Sequence, residues 1–191
     1  MTRGHGSLFG PFVRPCTLAA ILLMLGFALG LLFMPARTKG PPGRGAELSA
    51  HDTQPARVIL ARVMKTNLLA YVVILAGSIT VGLASVAHML WIGAFISLIL
   101  RGAFESGLTA WGFLARTLPH GVVEITGFIL AASIGLRVFC PFVHYLRTGE
   151  FLDRTGWRGL IAVAALSFLL IFVAAFLEAF LTPAVVAACG K

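Results

Sequence analysis

Apolar residues in this chain come in long uncharged blocks. They follow neither the two-residue alternation of a half-wet strand nor the single stripe of a soluble helix. A helix that is apolar all round must lie in lipid or in a very large core, and 191 residues cannot bury several such helices in water. Residues 66–100 carry no fixed charge. One straight helix of that length would run roughly 50 Å, against a hydrocarbon core of about 30 Å. The block therefore folds back, and the polar Ser85 and His88 place the reversal within residues 84–90. The expectation is two antiparallel helices, over 67–87 and 89–107.

The same reading yields three further spans. Arg3 and Arg14 precede an uncharged run over 15–36, with its apolar centre at 18–34. That run is long for a signal-peptide core, and its exit Phe33-Met34-Pro35-Ala36 lacks a small-x-small cleavage site, so it reads as an uncleaved first helix. Pro35, Pro41, Pro42 and Pro55 make 35–57 a helix-free, basic linker. A short lead-in helix over 58–65 follows, with Arg57, Arg62 and Lys65 placed to snorkel. Phe104, Leu108, Trp111, Leu114 and Leu118 recur at helical spacing, which suggests a short amphipathic helix at the interface. Pro119 then suits the start of a helix over 120–139, closed by a snorkelling Arg137. A last helix covers 159–181, where Pro183 bends or ends it. The predicted architecture is an all-α, polytopic bundle of five transmembrane helices plus one interfacial helix. It divides into an N-terminal region with the first helix (1–34), the Pro/Gly linker (35–57) and a four-helix membrane domain (58–191).

Composition supports this picture and removes other classes. Hydrophobic residues make up 59% and charged ones 12% of the chain, against about half and a quarter in soluble domains. The net charge of +8 lies between the apolar blocks, without a basic helix face, so it fits headgroup contact and not nucleic-acid binding. The excess of basic residues on the linker side favours a cytoplasmic linker in a multi-pass protein of the cell membrane. Cys16, Cys140 and Cys189 match no metal or redox spacing and read as packing residues.

Ionisable groups inside a span need a partner or a role. His120 and Glu124 are four apart and share a helical face; Glu178 has no base near it in sequence. The pair reads either as an ion, proton or catalytic site or as a hydrogen-bonded pair at the helix entry. Glu178 reads either as the lining of a path or as an interhelical tie. A zinc site needs three protein ligands and this helix offers one histidine, so neither metal nor cofactor is expected. No G-x-S-x-G elbow, H-E-x-x-H or P-loop occurs, and a non-enzymatic role is expected. Gly26 and Gly30 form a small-xxx-small pair suited to close helix approach, and they allow a homo-oligomer.

Residues 118–125, Leu-Pro-His-Gly-Val-Val-Glu-Ile, continuing to Gly135-Leu136-Arg137, resemble a signature of the stage II sporulation protein M family. So does 176–183, Phe-Leu-Glu-Ala-Phe-Leu-Thr-Pro, and Asn67 fits the family's asparagine. The likeness spans residues 65–188. Where the family carries an Asn-Gly step, this chain reads Trp91-Ile92-Gly93-Ala94. The resemblance implies a polytopic membrane protein that scaffolds partners; in spore formers these are peptidoglycan-degrading enzymes acting during engulfment. It singles out His120, Gly121, Glu124, Arg137, Glu178, Thr182 and Pro183. The alternative reading is a permease-like subunit that uses Glu124 and Glu178.

Overall fold

A computed structural model describes residues 13–33, 54–149 and 154–189. The expectations for the N-terminus and most of the Pro/Gly linker fall outside these residues, as do those for the side chains of Cys140 and Cys189. Among the described residues every regular element is helical: α1 (Val13–Phe33), α2 (Ala56–Leu75), α3 (Leu83–Glu105), α4 (Ala110–Thr148), α5 (Arg154–Phe176) and α6 (Thr182–Cys189). Five stretches are long and apolar enough to span a bilayer, with α5 and α6 sharing the last. The outer surface is apolar: Leu32, Phe33, Ile79 and Leu83 are all more than 70% exposed, as lipid-facing side chains are.

Inside a bilayer, lipid tails are as apolar as leucine, so helices associate through close packing and polar ties. The α1–α3 pair uses the first. A Cβ added to Gly26 would overlap the backbone of Leu90, and one on Gly93 would overlap that of Leu23. Gly30 meets Ala94 and the Ser97 hydroxyl in the same way. The Gly26/Gly30 pair thus serves a crossing within the chain. Arg101 donates to the Leu31 carbonyl (3.1 Å) and ties the adjacent ends of the two helices.

The reversal between α2 and α3 lies upstream of the expected position. A 3-10 turn (Ala76–Ser78) ends α2, and Val81 and Gly82 take positive φ of 55° and 88°. Only backbone that tolerates this conformation can turn so tightly, and Gly82 supplies it. Ser85 and His88 instead lie within α3. The Ser85 hydroxyl donates to the Ile74 carbonyl (2.8 Å), so its polarity is satisfied inside the hairpin and demands no turn.

Three more boundaries differ. Residues 58–65 are the first part of α2, not a separate helix. The expected interfacial helix is the start of α4: Gly107 (φ 84°) ends α3, Thr109 accepts from the Gly112 amide (3.1 Å), and the helix then continues through Pro119. A proline in mid-helix removes one backbone hydrogen bond, and α4 absorbs that loss. Arg137 therefore does not close a helix; α4 runs on to Thr148 and stops at Gly149 (φ 75°). Central in the bundle, α4 touches every other helix. Ala131, Ala132, Ser133, Ile134, Gly135 and Leu136 are all buried, and the hydroxyl of Ser133 returns its hydrogen to the Leu130 carbonyl (2.6 Å).

Candidate functional site: an intramembrane His/Glu/Glu cluster

The site is built where α2, α4 and the end of α5 meet. One face of α4 presents His120 and Glu124, four residues apart. Glu178 arrives from α5 in a π-helical turn (Leu177–Leu181), and Thr182 opens α6 directly after it. Such a widened turn inserts an extra residue and shifts the phase of everything downstream, and it is frequent at functional sites. Here the amide of Thr182 bonds back to the Leu177 carbonyl. Pro183, which has no amide hydrogen, is the second residue of α6 and directly follows the widened turn. The proline neither ends nor replaces the helix.

This arrangement brings the sequence-predicted residues together. Single ligand-type atoms of His120, Glu124 and Glu178 all lie within 4.8 Å of one another. His120 Nε2 is 3.8 Å from Glu178 Oε2, and its Nδ1 is 3.1 Å from the Thr182 hydroxyl. That hydroxyl has the Leu177 carbonyl 3.4 Å away as acceptor for its own hydrogen. With the proton on Nδ1 that hydroxyl accepts from the ring while donating to Leu177; with the proton on Nε2 it donates to Nδ1 instead. The imidazole is held by its far side, and Nε2 is turned toward the carboxylates.

Asn67 of α2 completes the enclosure. It is buried (6% exposed), beside Glu124. Two buried side-chain atoms among the described residues have no hydrogen-bond partner, Asn67 Nδ2 and Ser167 Oγ. The Ser167 orphan is three turns before Glu178 on α5, away from the cluster. Tyr71, one turn beyond Asn67, fixes α2 on α5 by donating to the Ala164 carbonyl (2.9 Å) and stacking at a tilt on Phe168 (5.9 Å). Gly121 is buried beside His120. Arg137, at the other end of the same span, is not part of the cluster.

Asn67, His120 and Glu178 lie about 15 Å of helix rise from Ala56, Ala110 and Ala188, on the side where α1 and α3 end. Lys65 is two residues before Asn67 and Arg116 four before His120, on that same side, and Trp111 stands 71% exposed beyond them as an interfacial anchor.

With the geometry in place, comparison with known proteins is informative. The sequence pattern of the Stage II sporulation protein M family matches residues 19–183. The chain belongs to that family. The match takes in α1 as well as the cluster, so it is longer than the likeness the motifs alone carry. An uncharacterized protein of Methanocaldococcus jannaschii is 25% identical over 171 residues, covering 88% of this chain and 94% of the relative. No solved structure matches.

Sequence reasoning paired His120 with Glu124 and left Glu178 without a base. The missing contact spans two helices, so no local spacing encodes it. Thr182 and Asn67 were visible through the family motifs and not through their own chemistry.

Proposed function

We propose that this family member is a non-enzymatic subunit of a membrane complex, holding cell-envelope partner proteins, peptidoglycan-remodelling enzymes among them, at the cell membrane. The observation that carries the reading is how little of the described chain lies outside the spans. The joints between α2 and α3 and between α3 and α4 occupy only residues 79–82 and 106–109. Only 22% of the apolar windows of α1 and α3 is buried against the rest of the chain. That leaves wide helix faces for lipid or for partner spans. Affinity capture in mild detergent tests this: a stoichiometric partner is expected, and a clean, partnerless homo-oligomer would contradict it.

A permease-like role is favoured by one specific observation, the meeting of two carboxylates from adjacent spans. Intramembrane acids mark ion and proton routes in many carriers. On this reading proteoliposome flux falls in Glu124→Gln and in Glu178→Gln. Unchanged flux in both would end it.

A further inference from the structure

We propose that His120, Glu124 and Glu178 bind one divalent transition-metal cation of the Zn2+ class inside the bundle. This goes beyond the scaffold reading and does not depend on it. Ligands of a four-coordinate cation at about 2.0–2.2 Å are roughly 3.4 Å apart. The three candidate atoms already lie within 4.8 Å of one another, so side-chain closure of roughly an ångström produces the site. An imidazole nitrogen with two carboxylate oxygens suits Zn2+ or its transition-metal neighbours better than Mg2+ or Ca2+, which take oxygen ligands almost exclusively.

Three further features fit. The histidine is arranged as metal-bound histidines are. Its Nδ1 lies 3.1 Å from the Thr182 hydroxyl, and in the tautomer that donates Nδ1–H there the Nε2 lone pair faces Glu178, as a ligand nitrogen must. Charge balances as well. Two carboxylates side by side in a low-dielectric interior repel, whereas a dication with two carboxylates and a neutral imidazole sums to zero. Finally, Asn67 is more than nine-tenths buried, and its amide faces the Glu124 carboxyl without completing a well-formed hydrogen bond. A carboxylate that ligates through one oxygen needs a donor for the other, and Asn67 Nδ2 beside Glu124 is placed to be that donor. Thr182 and Asn67 are positioning residues; the other three are ligands.

The test uses the full chain purified in detergent, stripped with a chelator and titrated with Co2+, whose ligand-field absorption reports coordination. Expected is one Co2+ per chain with a four-coordinate spectrum, displaced by Zn2+. Thr182→Val and Asn67→Leu weaken binding by about 10–100-fold, and His120→Gln, Glu124→Gln and Glu178→Gln weaken it further. Zn2+ also raises the thermal midpoint of the wild-type chain and not that of Glu178→Gln. If a glutamine variant fails to fold, weakened Co2+ binding in folded Thr182→Val decides in favour of the proposal. Wild-type protein that takes up no Co2+ would overturn it and leave a cluster that holds protons only. Full-affinity binding in a folded His120 or Glu178 variant would overturn it equally.

Discussion

The bundle is held by two unlike joints. Along α1 and α3, glycines bring backbones together, and the seam is nearly all van der Waals contact. Where α2 and α4 meet the end of α5, the joint is polar: two carboxyls, an imidazole, a hydroxyl and an amide converge below a basic, tryptophan-marked surface. The first joint tolerates no added volume and contains no chemistry. The second has side chains that can rearrange and is the chemically equipped part of the molecule. Close backbone packing and polar chemistry therefore sit in different halves of one small bundle, and substitutions should separate them.

The largest effect is expected at the seam. Gly93→Leu drives a side chain into the backbone of α1 and should cost about 3 kcal/mol or more, read as a fall in thermal midpoint in detergent. Tyr71→Phe removes the bond to Ala164 and should cost about 1 kcal/mol, by unfolding in the same detergent. Thr182→Val removes the hydroxyl that holds His120 and should cost about 0.6 kcal/mol, typical of one interhelical hydrogen bond in a membrane. The smallest effect is a control on the comparison itself. Gly102 is on the same helix as Gly93, but an added Cβ there meets nothing within 4 Å. Gly102→Ala should leave stability unchanged or raise it by up to ~1 kcal/mol. If Gly93 and Gly102 responded alike, the seam would not be what sets them apart.

Much of this architecture was legible in the sequence. Lengths of uncharged chain require five spans, and residues 66–100 require a hairpin whatever its turn. What misled was reading polarity as a boundary. Ser85 pointed to a turn, but its hydroxyl is satisfied by Ile74, and the turn formed at Gly82, which takes positive φ without steric cost, with Val81 held at positive φ beside it. Pro119 pointed to a helix start, but Gly107 and Thr109 had already ended one helix and capped the next. At the site, the His120/Glu124 pair follows from helical periodicity alone. Its third member does not, because the contact depends on how α5 lies on α4 and on the π-helical turn that carries Glu178. The expectation of no metal counted candidate groups along one helix, whereas the fold brings a third such group, Glu178, from another.

The claim beneath both the fold and the site is that positions 124 and 178 face each other inside the membrane. A cysteine-free background carrying Glu124→Cys and Glu178→Cys, with a protease site placed between residues 149 and 154, tests it in native membranes. After treatment with a short bifunctional thiol reagent and cleavage, the two halves should remain joined, and each single-cysteine protein should fall apart. Separation of the double-cysteine halves, with both thiols still reactive, would contradict the account.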